Sequence, residues 1–225
     1  MRVEPGRASE TWNFGPSLAL DDSFPFVCAG CGDCCRHRND LVLSGYDLYR
    51  IARRLHLSPR IVAHAFCKEY IAPQSCLPAL CLTPDPQTGH CRFFEGNACT
   101  IHDARPLACA LYPLGQSIDP VNAKVEYHAQ LPLCGVCVRE RTLRQYLDDA
   151  AIPDRTGIDA RWTVVCTQIS DQLLAAGGRE HPHFAAAARR IHKALYLEYE
   201  LGDDFYPQFQ ENTAQLMPLL ARILS

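Results

Sequence analysis

The sequence predicts a mostly helical α+β protein, with a small irregular cysteine-rich metal-binding domain of short helices and strands followed by a C-terminal helical bundle. Three observations predict it. Twelve of the thirteen cysteines lie between Cys28 and Cys137, and only Cys166 follows them. The same stretch is cut by glycine and proline into apolar runs too short for long elements. Beyond it, apolar residues recur at spacings of three and four, the period of an amphipathic helix. The expected organisation is therefore 1-25 as an extended N-terminal arm, 26-137 as the cysteine-cluster metal-binding domain, and 138-225 as the C-terminal helical region.

The arm carries Pro5, Gly6, Gly15, Pro16 and Pro25, which suits extended chain lying on the surface. After the first cysteines, Leu41-Val42-Leu43 suits a strand or a packed turn. Ser44 lies three residues before Asp47, a capping-box start for a helix through Leu55 whose Leu48, Ile51, Ala52 and Leu55 share a face. Ser58-Pro59 starts a second helix with Ile61, Val62, Ala65 and Phe66 on its apolar side. Four prolines between Ile71 and Gly89 predict loop, with at most a short strand near Leu80. His90 to Phe94 and Cys99 to Ile101 read as two small strands turning at Glu95-Gly96-Asn97. Asp103 is placed to cap a short helix containing Pro106 and Cys109, stopped by Pro113. Lys124 to His128 alternates as a strand does.

The helical region reads as four helices. A short one runs from about Val138 to Leu147. A long one carries Ile158, Trp162, Val165, Ile169 and Leu173 up to Gly177-Gly178. A third carries Phe184, Ala188, Ile191, Leu195 and Tyr199. The last carries Phe205, Phe209, Leu216, Leu220 and Ile223, interrupted late by Pro218.

Bulk properties exclude several functions. A net charge of -3 supplies no basic field for a nucleic-acid backbone, so no nucleic-acid partner is expected. The first 25 residues lack the apolar run of a signal peptide, and no later stretch approaches a membrane span. A cytoplasmic protein is expected, with no membrane partner. Thiols stay reduced in that compartment, so thirteen cysteines argue for metal rather than a disulfide framework. There is no glycine-rich nucleotide loop, no H-E-x-x-H and no nucleophilic triad order.

The chemistry centres on Phe26-Val-Cys28-Ala-Gly-Cys31-Gly-Asp-Cys34-Cys35-Arg36, which packs four thiols into eight residues. Thiols at i, i+3 and i+6, separated by glycine turns, can converge on one point. The spacing reproduces the first three cysteines of the C-x2-C-x2-C run that holds iron-sulfur clusters, and also satisfies the C-x2-C rule of zinc sites. His37, His90 and His102 lie close to cysteines, but single loop histidines more often hydrogen-bond to ligands than ligate. Arg36 and Arg105 are placed to offset the charge of a thiolate-rich site.

The pattern CAGCGDCC, then Cys91-x7-Cys99, then I-H-D-A-R-P-L-A-C-A-L-Y-P, resembles the YkgJ-like CxxCxxCC cysteine-cluster family of zinc- or iron-chelating domains. The same domain occurs in flagellin lysine N-methylase. The resemblance covers roughly residues 26 to 137. It implies that Cys28, Cys31, Cys34, Cys35, Cys91, Cys99, Cys109 and Cys134 form the metal-binding set. Cys67, Cys76, Cys81 and Cys166 fall outside the pattern. Cys137 makes a C-x2-C with Cys134 and is an additional candidate.

Eight thiolates exceed the four ligands of one tetrahedral ion, and the adjacent Cys34 and Cys35 favour two centres or one polynuclear centre. Soft, all-sulfur ligation favours iron-sulfur, with a [4Fe-4S] cluster expected and zinc the alternative. Three function classes follow. One is a metal-cluster enzyme or enzyme subunit acting on a protein or peptide, methylase-like by family analogy only. Another is electron transfer or redox sensing. The third is a zinc-binding structural protein whose helices bind a protein partner.

Overall fold

A computed structural model describes residues 15–28, 31–36, 41–130 and 140–225. In chain order, the first sections are β1 (Ser17–Leu18), β2 (Val42–Leu43), α1 (Gly45–Leu55), α2 (Pro59–Phe66), β3 (Cys67–Ile71), β4 (Pro78–Leu82), β5 (Phe94–Glu95) and β6 (Ala98–Cys99). They are followed by α3 (Leu107–Leu111), β7 (Leu114–Ile118), β8 (Val125–Ala129), α4 (Leu143–Asp149), α5 (Pro153–Ala175), α6 (Phe184–His192) and α7 (Phe205–Ile223). The strands form three small antiparallel sheets, ordered β1-β8-β7, β2-β4-β3 and β5-β6. The protein is thus a mixed α+β fold, mostly helical, with its C-terminal part helical. Among the described residues no helix is long and apolar enough to cross a membrane.

Local chemistry explains most of the boundaries. Ser44 and Asp47 complete the capping box of α1, each side chain bonding to the other's backbone N–H. Ser58 caps α2 with Pro59 in the first turn. The α2 face differs from the expected one: Pro59, Val62 and Ala63 are buried, while Ile61 is 50% exposed. Packing against α1 rotates the helix so that the one-residue-shifted stripe meets the core. The proline-rich stretch contains a full strand, β4, central in its sheet and buried at four of five positions. Its apolar Ala79-Leu80 core wins over the flanking prolines, because Pro78 occupies the strand's first position.

Two helix starts differ from expectation. His102–Ala104 forms a separate 3-10 turn, and α3 begins after Pro106, so Asp103 does not cap it. Helix α4 begins at Leu143 because Thr142 and Gln145 form a second capping box there; residues 138 and 139 of the expected helix lie outside the described residues. The hairpin of β5 and β6 turns at Gly96 and Asn97, both with positive φ. Its turn matches the sequence reading, although each strand is only two residues long.

Two hydrophobic clusters result. The larger one joins Leu41, Leu43, Leu48, Ile51, Val62 and Leu80 to Val165, Ile169, Leu173, Ile191, Leu195, Phe209, Leu216 and Leu220, so α5, α6 and α7 cover the β2-β4-β3 layer. The smaller one joins Phe24, Phe26, Leu111, Leu114 and Tyr127 to Leu143, Leu147 and Ile152. The described part of the N-terminal arm adds edge strand β1 to β8 and buries Phe24 in this second cluster.

Candidate metal centre

The four-cysteine stretch is shaped by Gly32, whose φ of 73° is left-handed and whose α-carbon lies against the Phe94 ring, leaving no room for a β-carbon. The chain then enters a 3-10 turn over Asp33–Cys35. Cys91 N–H donates to the Cys35 carbonyl at 2.8 Å, tying the turn to the segment before β5. Cys99 ends β6, directly opposite Phe94 in the hairpin. Cys109 lies on α3, whose first N–H, that of Leu107, donates to Asp47 Oδ1 at 3.0 Å.

These elements enclose one cavity of about 460 Å³. Cys28, Cys31, Cys34, Cys35, Cys91, Cys99 and Cys109 all line it. The eighth residue of the expected set, Cys134, and the neighbouring Cys137 lie outside the described residues, as does His37. Cys67, Cys76, Cys81 and Cys166 do not line the cavity. Cys91, Cys99 and Cys109 pack against the larger hydrophobic cluster and Cys31 against the smaller, so the cavity occupies the seam between them. Among the described residues no group of three or more cysteine, histidine, aspartate or glutamate side chains is arranged to hold a single metal ion. The thiols ring the cavity instead of meeting at a point.

The electrostatics of Cys35 and Cys99 hold both thiols protonated when no cation is bound. A hydrogen bond with Cys34, burial, and the negative charge of Cys34, Cys91 and Cys99 all push the Cys35 thiol far above its ordinary value. Burial also raises Cys99, with Cys91 and Cys34 adding to the shift and Arg105 opposing it. Thiols that raise one another cannot ionise together unaided, and a bound metal supplies the missing positive charge. The donor set therefore fits a soft metal centre.

Polar groups share the cavity with the thiols. Arg105 holds the His102 ring at 2.9 Å and the His102 carbonyl at 3.1 Å. Burial and Arg105 lower the His102 pKa, which keeps the imidazole neutral. His90 does not line the cavity, and its ring lies edge-on to Phe94 at 5.7 Å. Arg36 lies over the Phe94 ring and bonds Asp33 at 2.5 Å and Asn97 at 3.1 Å. Tyr146 closes the far wall, its hydroxyl donating to the Tyr112 carbonyl at 2.5 Å. The lining roles of Phe94, Asn97, Tyr112 and Tyr146 escaped the sequence reading, since no spacing rule links them to the cysteines.

A cavity walled by thiols from four stretches of chain defines a cysteine-cluster metal-chelating protein. The family model described as "CxxCxxCC: Putative zinc- or iron-chelating domain" matches residues 27–144, just over half of the chain. The chain belongs to this family. No curated protein and no solved structure matches it.

Proposed function

We propose that the cavity holds a [4Fe-4S] cluster and that the protein is a component of a protein- or peptide-modifying reaction carried out beside it. The ligands would be drawn from Cys28, Cys31, Cys34, Cys35, Cys91, Cys99, Cys109 and Cys134. One observation carries the reading: among the described residues, seven thiols and no carboxylate line a single cavity of about 460 Å³. A structural zinc site closes four ligands around one ion at about 2.0–2.3 Å and needs no such space. Soft all-thiolate ligation around a roomy site suits a polynuclear iron centre.

When bound, such a cluster supplies one-electron chemistry and, at an iron without a cysteine ligand, Lewis acidity. The chain's own contributions are distinct. Phe94, Phe26 and Tyr146 give the thiol ring apolar walls, and Arg105 offsets its negative charge. Asn97 and the neutral His102 offer hydrogen bonds at the cavity edge, where a substrate side chain would lie. Polar groups inside the same cavity support a substrate-handling role over a purely structural one.

Oxygen-free purification followed by iron and sulfide analysis and Mössbauer spectroscopy tests the cofactor. Stoichiometric iron and sulfide with a [4Fe-4S] spectrum are expected, whereas a colourless protein carrying stoichiometric zinc overturns it. The reaction is tested separately by adding cyanide or a small thiol to the reduced cluster. A changed electron paramagnetic resonance signal is expected from an open iron; an unchanged one would assign electron transfer instead.

A further inference from the structure

A second concavity, free of cysteines, has a volume of about 560 Å³ and runs between α2 with β3 on one side and α6 on the other. Its walls carry Arg60 and His64 from α2, and Arg189, His192 and Lys193 from the end of α6 and the residues after it. Arg60, His64, Arg189 and Lys193 are exposed. Among the described residues none of Arg60, Arg189 and Lys193 has a carboxylate within ion-pair distance. The one acid of the groove, Glu69, faces His192 at 3.6 Å. On a chain of net charge -3, this is a local concentration of unneutralised positive charge.

Two further observations mark the groove. Lys193–Leu197 is a π-helical turn closed by Glu198 N–H donating to the Lys193 carbonyl at 3.0 Å. It buries Ala194, Leu195 and Tyr196 consecutively in the core and leaves Lys193 and Leu197 on the groove. Such turns are rare and are frequently found at functional sites. Among the described residues His192 Nε2, buried there, has no hydrogen-bond partner. The groove also has an apolar side, formed by Leu197, the alanines of α2 and the half-exposed Ile61.

We propose that this groove docks an acidic segment of a partner protein, whose carboxylates meet Arg60, Arg189 and Lys193 while an apolar side chain lies on Ile61 and Leu197. Arg60 stands on one wall and Arg189 and Lys193 on the other. One small oxyanion would engage only part of them, and the apolar side would remain uncovered. An extended peptide engages both. The proposal is independent of which metal fills the thiol cavity.

Fluorescence anisotropy with the full metal-loaded chain tests it, using labelled peptides of alternating Glu and Leu, with counterparts carrying Lys for Glu or Ser for Leu. The Glu/Leu peptides are expected to bind and to weaken about tenfold or more with either replacement and with added salt. The charge-reversed double variant R189E/K193E should lose the same affinity while retaining metal content and melting temperature. Equal binding of Glu and Lys peptides, undiminished binding by the double variant, or equal binding of the Glu/Ser peptide would each overturn the proposal. Full displacement of the peptide by inorganic phosphate would overturn it too, by reducing the groove to a plain anion site.

Discussion

The Cys35 and Cys99 thiols are poor acids until a cation arrives, because burial and neighbouring thiols oppose their charged forms. Serine at such a position replaces a soft sulfur with a hard hydroxyl of much higher pKa and removes a ligand. Cys34→Ser is therefore expected to lower metal stoichiometry and soluble yield together, measured by elemental analysis. Cys166 stands apart: it lies on α5 against the larger hydrophobic cluster, and burial pushes its thiol up to about 12. Cys166→Ser should leave metal content unchanged. His192 gives a pH signature of its own. Burial holds its imidazole below the ordinary value of 6.5, Glu69 opposes that shift and Arg60 adds to it, with His64, Arg189 and Lys193 on the same groove. Its folded pKa being depressed, the unfolded chain takes up a proton that the folded chain resists. This contribution is whole above pH 6.5 and is lost as pH falls below it. Urea midpoints at about pH 7.5 and about pH 5.5 should therefore differ less for His192→Gln than for the parent chain.

At the level of elements, one buried ion cluster joins three helices. Asp47 in the first turn of α1 accepts from Ser44 in the capping box, from the Leu107 N–H at the start of α3, and from Arg155 Nη2 at 2.8 Å. Arg155 on α5 also bonds Asp159 at 2.6 and 2.8 Å, and its guanidinium lies 5.3 Å from the Tyr46 ring centroid. Burial pulls the Arg155 pKa down, but bonding to Asp159 and the charge of Asp47 more than offset it, so the guanidinium stays charged. Asp47→Ala would leave Arg155 paired with Asp159 alone, deprive the Leu107 N–H of its acceptor and break the side-chain half of the α1 capping box, with Ser44 still in place. A loss of about 1–3 kcal/mol in urea denaturation is expected, because the Leu107 N–H and one face of the guanidinium lose their hydrogen-bond acceptor. Metal affinity should fall with it, since the same carboxylate anchors the helix that carries Cys109. Gly45, at the start of α1, lies against the Leu195 carbonyl and the Trp162 ring, which is how closely the C-terminal helices approach this junction.

At the level of the whole molecule, the larger core is built from both halves of the chain. Leu48, Ile51, Val62 and Leu80 are fully buried only because Ile169, Leu173, Ile191, Leu195 and Phe209 cover them. Each such side chain contributes roughly 1.5–3 kcal/mol by leaving water. A chain ending at residue 152 would expose that face, and although it keeps every residue of the family match it is expected to be unfolded or aggregated, as read by circular dichroism and limited proteolysis. Metal loading should fail in the same truncation, because the seam that forms the cavity needs both hydrophobic clusters in place.

Much of this was legible in particular residues. The Ser44–Asp47 capping box, the Ser58-Pro59 start and the periodicities depend on neighbours within a turn, so α1, the start of α2, β8 and the course of α5 and α7 followed from the sequence. The spacing of Cys28, Cys31, Cys34 and Cys35, together with Cys91, Cys99 and Cys109, carried the family and its metal chemistry. Strand β4 was legible only as a fragment, because a central strand owes its length to pairing on both edges. The stripe α2 buries, the Asp47–Arg155–Asp159 cluster and the polar lining of the cavity were decided by tertiary structure. Local chemistry is written in residues a few positions apart, but which face is buried and which charges meet depend on side chains brought together from more than a hundred positions away, as Asp47 and Arg155 are.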